Sequence, residues 1–186
     1  MNVWAEILFL AVNMKTTKKI TICAMLASLG VVVLYVGAFL EILDLSVACV
    51  ASFIIIFCVI ELGYASAFAV YAIISVLSLI ILPTKWVAIY FVLFFGLMPI
   101  TKSVYEKTGR ILSWIFKIVT FNAELVLFYF IASALDFFEE TEFLVILLIA
   151  ALVMLNIVFV LTDIVYTRLA RIYEHKFRHR IRKFLK

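Results

Sequence analysis

Three polar side chains that could do chemistry lie inside long apolar segments of the sequence. Asn122 and Glu124 fall near the middle of one segment, and Asn156 falls at a similar depth in the next. Amide and ionisable groups are costly in hydrocarbon and usually face the interior of a helical bundle. We therefore predict a buried polar cluster. Either these residues contact a ligand or carry a proton at Glu124, or they bond neighbouring helices as structural contacts.

A second candidate group lies near the ends of the apolar segments. Glu41, Asp44, Trp86 and Tyr90 all fall toward the same predicted face of the membrane, where they could line the mouth of a pocket. Trp and Tyr also anchor helices at membrane interfaces whatever the function. Both interpretations of this group stay open.

Lys117 and Asp163 lie at comparable depths in two neighbouring apolar segments. Opposite charges at matched depth inside a membrane tend to pair with each other. The sequence therefore predicts an ion pair between these two residues, and we interpret it as a structural contact and not as part of a transport path.

Motifs of the common enzyme classes do not occur in the sequence, which has no Gly-rich phosphate loop, no zinc-protease motif and no nucleophile elbow. The two histidines, His175 and His179, lie among basic residues that are typical of a hydrated surface. Three cysteines lie in apolar segments without metal-ligand or disulfide spacing: Cys23, Cys49 and Cys58. We expect no enzyme activity, no cofactor and no metal site.

The elements that must position these residues follow from the composition. Of 186 residues, 68% are hydrophobic and 15% are charged, which is far from a soluble domain. The apolar segments lack the alternation of polar and apolar residues that a membrane barrel requires, so the spans must be helices. The sequence predicts an all-α fold, a bundle of six membrane-spanning helices near residues 20–40, 46–61, 64–82, 86–101, 111–135 and 143–167.

The distribution of charge predicts the orientation of this bundle. With the amino end inside, one side receives most of the basic residues of the loops and both ends: Lys15, Lys18, Lys19, Lys102, Lys107, Arg110 and the carboxyl-terminal tail. The other side receives the acidic loops, with Lys85 as its only basic residue. Because positive loops stay in the cytoplasm, we predict a multi-pass protein of the cell membrane with both termini cytoplasmic.

The two ends of the chain are expected to lie outside the six-helix domain. Residues 1–19 carry a short apolar run with Glu6 that predicts an interfacial segment, and residues 20–167 form the membrane domain. Residues 168–186 combine many Lys and Arg with apolar residues at helical spacing, which is typical of a helix lying on an anionic lipid surface. This explanation makes a nucleic-acid partner unnecessary.

Small residues share a face on two of the predicted helices. They are Ala24, Ala27 and Ser28 in the first and Ala65, Ala69 and Ala72 in the third. Small faces let helices approach closely, either within the bundle or against another subunit.

The first helix also resembles a known family over about fifteen residues. The stretch in question is Lys18-Lys19-Ile20-Thr21-Ile22-Cys23-Ala24-Met25-Leu26-Ala27-Ser28-Leu29-Gly30-Val31. It is similar to the opening of the substrate-binding S components of energy-coupling factor (ECF) transporters, which are six-helix bundles of about this length. In that family a small-x-x-x-small motif, matched by Ala24 and Ser28, docks on the coupling subunit.

The resemblance implies a function and a set of partners. The chain would capture a vitamin or similar micronutrient in an outward-facing pocket. A membrane coupling (T) subunit and two ABC ATPases would supply the energy. Two other classes remain open: a structural or scaffolding protein of the bacterial envelope, and a stand-alone proton-coupled carrier that uses Glu124.

Overall fold

A computed structural model describes residues 16–39, 44–134 and 145–173, and every statement below concerns these ranges. Six of its helical segments are long and apolar enough to cross a membrane, which confirms the predicted all-α six-helix fold. The amino-terminal segment up to residue 15, the acidic residue Glu41 and the tail beyond Tyr173 lie outside the described residues.

The helices follow the predicted apolar segments closely. They are α1 (Thr16–Ala38), α2 (Asp44–Leu62), α3 (Tyr64–Ile81), α4 (Lys85–Tyr90), α5 (Met98–Tyr105), α6 (Arg110–Ala134) and α7 (Val145–Ile172). The fourth span combines α4, a π-helical segment at Phe91–Phe95 and α5. Three boundaries differ from the prediction by four residues or more: α1 begins at Thr16 instead of 20, and the fourth span ends at Tyr105 instead of 101. The last helix, α7, continues past 167, so that residues 168–172 belong to the last span.

Consecutive spans run in opposite directions, so the connections between them lie alternately at the two ends of the bundle. At the Pro83 end, α1 meets α2 and α3 meets α4, and the Thr84 hydroxyl donates a hydrogen bond to the Ala38 carbonyl at 3.3 Å. At the opposite end, here called the Gly109 end, α2 meets α3 at Gly63 and the fourth span meets α6 at Gly109. Gly63 has φ 85° and ψ 173°, a conformation essentially reserved for glycine. The turn at 61–63 is therefore a true break between two spans.

The packing of the bundle places α2 and the fourth span at its centre. In each of these two spans 56% of the residues in the most apolar 18-residue stretch are buried, compared with 22% in α6 and 17% in α7. One apolar core lies between α1, α2, α3 and the fourth span around Leu34, Ile55 and Ile74. A second core joins α2 and the fourth span to α6 and α7 around Phe121 and Tyr166. The last two helices therefore leave most of their surface to lipid or to a partner.

The fourth span is irregular in the middle of the bundle. Gly96 donates its backbone hydrogen bond to the Phe91 carbonyl at 2.7 Å, across five residues instead of four. The Tyr71 hydroxyl of α3 donates to the Val92 carbonyl at 2.9 Å. A Cβ at position 96 would lie 2.6 Å from a ring carbon of Tyr71, so glycine lets the ring pack against the bend. Such π-helical segments often occur at functional sites.

Candidate functional site

A cluster of four charged side chains lies between α5, α6 and α7, toward the Gly109 end. Lys102 is at its centre and is 3% exposed. Its ammonium group donates hydrogen bonds to the side-chain Oδ1 and the backbone carbonyl of Asp163 and to the Thr167 hydroxyl, each at 2.6 Å. A lysine ammonium has three donors, so these three acceptors satisfy it completely.

Lys117 completes the cluster from α6. Its Nζ lies 3.1 Å from Asp163 Oδ1 and 3.2 Å from Glu106 Oε1. The predicted ion pair between Lys117 and Asp163 is therefore present in the structure. Glu106 also lies 3.6 Å from Lys102, so the two lysines share the two carboxylates. We call Lys102, Glu106, Lys117 and Asp163 the charge cluster.

Half of the charge cluster, Lys102 and Glu106, was not predicted. By sequence, Lys102 belongs to a polar connection after residue 101 and to the basic residues of the loops, and the structure corrects this. The helix α5 continues to Tyr105, and Lys102 lies inside the bundle. A signal was available in the spacing of Lys102 and Glu106, because residues four apart on a helix face each other.

The predicted polar cluster of Asn122, Glu124 and Asn156 is divided in the structure. Asn122 and Asn156 exchange side-chain hydrogen bonds at 3.2 and 3.4 Å. Each also donates to a carbonyl one turn earlier in its own helix, at 2.8 Å to Ile118 and 2.9 Å to Leu152. Both protons of each amide are then used, which supports the interpretation of this pair as a contact between α6 and α7.

Glu124 does not join the two asparagines, although it is only two residues from Asn122. Two residues correspond to roughly 200° of rotation around a helix, so the two side chains point to opposite sides of α6. Glu124 lines a small cavity of about 10 Å³ together with Lys102, Lys117 and Asp163 of the charge cluster. Its carboxyl group also acts electrostatically on Tyr71 of α3.

The asparagine pair gives a prediction that separates a structural contact from a ligand contact. Leucine at either position removes the amides with little change in size. In a double-mutant cycle of Asn122→Leu and Asn156→Leu, we expect a coupling free energy of about 0.6 kcal/mol, as is typical for hydrogen bonds between membrane helices. Unfolding in detergent measures this value. Zero coupling, together with loss of a bound small molecule in both variants, would instead indicate ligand contacts.

At the Pro83 end, three of the predicted pocket residues come together. Trp86 and Tyr90 lie on α4 with their ring centroids 6.4 Å apart, and Phe128 of α6 lies 6.4 Å from Trp86 and 5.7 Å from Tyr90. Asp44, the first residue of α2, acts electrostatically on the Tyr90 hydroxyl. Phe128 was not predicted, because apolar periodicity cannot distinguish it from other aromatic residues of the membrane helices. We call Asp44, Trp86, Tyr90 and Phe128 the aromatic group.

Lys85, next to the aromatic group, is engaged by the backbone. Its ammonium group donates to the carbonyls of Leu82 at 2.8 Å and Ile80 at 3.3 Å. A cation at this position stabilises the carboxyl end of α3, where helical carbonyls lack partners. The one basic residue predicted for this side of the membrane therefore has a structural role.

The predicted small-residue face of α1 is only partly on the surface. Ala24 and Ser28 are exposed, whereas Ala27 is 2% exposed and packs inside the first core. On α3, Ala65 and Ala69 are exposed as well. Ala27 therefore contributes to the interior of the bundle, and of the three α1 residues only Ala24 and Ser28 are free to contact another subunit.

Potential metal ligands and thiols were compared over the part of the chain that the structure describes. Within these residues no three His, Cys, Asp or Glu side chains come together as a metal site requires. Cys23, Cys49 and Cys58 are free thiols.

No protein-family model matches the chain, and neither a curated protein nor a solved structure matches it. The chain is a multi-pass membrane protein. Its most distinctive features are the aromatic group, the exposed small residues of α1 and the charge cluster.

Proposed function

We propose that this protein is the membrane-embedded substrate-binding subunit of an ECF-type importer, which captures a vitamin or similar micronutrient at the Pro83 end. The observation that carries the proposal is the aromatic group, in which α2, α4 and α6 bring one carboxylate and three aromatic rings together. Ligand sites combine apolar and aromatic walls with a few polar groups that fix orientation. The charge pattern of the loops predicts that this end faces outside.

The aromatic group favours a particular chemistry of substrate. Tyr90, Trp86 and Phe128 offer ring faces and edges for a flat, partly aromatic molecule. The Asp44 carboxylate can accept hydrogen bonds from amine or hydroxyl groups of such a molecule. A heteroaromatic compound with hydrogen-bond donors fits both features, and several vitamin classes have this character.

The exposed small residues support the second part of the proposal, a partner in the membrane. Ala24 and Ser28 lie on the outside of the bundle, where a small surface permits close approach of another helix. They lie in the stretch that resembles the docking helix of S components. No nucleotide-binding motif occurs in the sequence, so the ATPases of the importer would be separate chains.

Purification of the tagged protein from its native membrane in mild detergent, followed by mass spectrometry, tests the proposal. We expect two ATPases, a membrane coupling protein and a retained small molecule. In the double variant Trp86→Ala and Tyr90→Ala we expect the partners to remain and the small molecule to be lost. Recovery of cell-wall or cell-shape proteins would favour the envelope scaffold, and a protein that purifies alone would contradict the importer.

A further inference from the structure

Among the residues that the structure describes, Glu124 is a carboxylate that lies beside the charge cluster and takes no part in its ion pairs. It lies near the middle of α6, far from both ends of the span. Its side chain is half-buried and lines the same cavity as Lys102, Lys117 and Asp163. A carboxyl group at this depth is expensive in its ionised form and usually serves a function.

The charges around Glu124 are already balanced without it. Lys102 and Lys117 are paired with Asp163 and Glu106, so two cations match two anions. Among the described residues, no ion pair includes Glu124. An ionised Glu124 would therefore add an uncompensated negative charge to the membrane interior, and breaking the existing pairs to serve it would leave another carboxylate unpaired.

Most of the hydrogen-bond donors that face Glu124 are engaged elsewhere. From α3, the Tyr71 hydroxyl donates to the Val92 carbonyl at 2.9 Å. From α5 and α6, the Tyr105 and Thr120 hydroxyls share one hydrogen bond at 2.9 Å, which leaves one of their two protons available to the cavity. The cavity of about 10 Å³ is the size of a single water site. A neutral carboxyl group satisfied by one water fits this environment, whereas a carboxylate would need several donors.

From this arrangement we propose that Glu124 is a buried proton-binding site, whose carboxyl group is neutral in the packed bundle and exchanges its proton through the water-sized cavity shared with Lys102, Lys117 and Asp163. Asp163, the other carboxylate that lines the cavity, is already paired with both lysines, so a metal cation would find only one available carboxylate there and we take the occupant to be a proton. Release of the proton puts a carboxylate beside Lys117 and competes with Asp163 for it. Proton binding is thereby linked to the contact between α6 and α7.

Infrared difference spectroscopy of the purified full-length protein in lipid nanodiscs of phosphatidylethanolamine and phosphatidylglycerol tests this site. We expect the carbonyl band of a protonated carboxyl group at neutral pH, with reversible loss as the pH is raised. Glu124→Gln should remove this band. Glu124→Asp keeps a carboxyl group and should shift the band, which guards against misfolding of the first variant. The matched control is Glu61→Gln, since Glu61 is a second buried carboxyl group, bonded by Tyr173 at 3.3 Å, and its loss should leave the Glu124 band in place.

Two results would overturn the proposal. One is an identical carboxyl band in the wild-type protein and in Glu124→Gln at every pH at which both are folded. The other is a titration that depends on sodium, seen when sodium chloride is replaced by choline chloride, because it would make the site a metal-cation site. The proton site and the importer subunit can fail separately. Loss of the band in Glu124→Gln, with ATPases still bound to the protein, would support both proposals. Loss of the band in a protein that purifies without partners would support the proton site alone.

Discussion

Replacing Asp163 with asparagine is expected to cost about 3–5 kcal/mol of folding free energy, because it leaves two buried lysines with one partly exposed carboxylate between them. Asp163 is 3% exposed and receives hydrogen bonds from both lysines. Asparagine keeps the shape of the side chain, but it removes the charge and replaces one of the two acceptor oxygens with an amide group that donates. The variant should unfold at a lower temperature or denaturant concentration in detergent, as measured by circular dichroism or size-exclusion chromatography.

The loss in Asp163→Asn should be reversed in part by a second change that restores the balance of charge. In Asp163→Asn with Lys117→Met, one lysine and Glu106 remain as a matched pair, and we expect a higher stability than in the single variant. Lys107→Met is the control for loss of a lysine, since Lys107 is exposed and lies 4.6 Å from the centre of the Tyr64 ring. It should change stability by about 1 kcal/mol or less. If Asp163→Asn proves as mild as this control, the charge cluster is not a stabilising contact.

The second large effect concerns the proposed docking surface. Leucine at both Ala24 and Ser28 should reduce recovery of the coupling subunit and ATPases by at least about tenfold, because the larger side chains prevent close approach of a partner helix. Both positions are exposed on the bundle, so the fold should remain intact. Quantitative mass spectrometry of the purified complex, with the yield of folded protein as the reference, measures the effect.

The matched control for this experiment lies on another helix. Ala123 of α6 is also a small, exposed residue, and Ala123→Leu should leave partner recovery unchanged. Ala27→Leu is a separate comparison, because Ala27 lies inside the first core and a larger side chain there should destabilise the bundle itself. Equal loss of partners in Ala123→Leu and in the Ala24 and Ser28 variant would place the effect in the lipid or the detergent and would contradict a docking site on α1.

The number and limits of the spans could be derived from the sequence. A helix needs about 20 apolar residues to cross the hydrocarbon, and besides helices only closed barrels satisfy the hydrogen bonds of the backbone there. The apolar segments therefore predicted the six spans to within a few residues at most boundaries. The ion pair of Lys117 with Asp163 followed for a similar reason, because opposite charges at one depth inside a membrane have few other partners.

Which face of each helix meets which neighbour was decided by the tertiary structure. Asn122 and Glu124 have the same depth in the sequence, but the first pairs with Asn156 and the second faces the charge cluster. Depth depends on position along the chain, whereas direction depends on how α6 is rotated against its neighbours. In a chain that is apolar on nearly every face, the sequence carries little information about that rotation.

The position of Lys102 also could not be predicted from the sequence. By its sequence position the residue belongs to a basic connection, and that is how it was assigned. It is buried because α5 continues for another turn and because Asp163 and Thr167 of α7 supply acceptors. Those acceptors lie about sixty residues away in the chain, and no local pattern reports on them.

The sequence by itself determined that the protein is a six-helix membrane bundle and where its charges lie in depth. Only the packing of α5, α6 and α7 decided which charges meet, since long-range pairing in a membrane depends on helix rotation and not on apolar content.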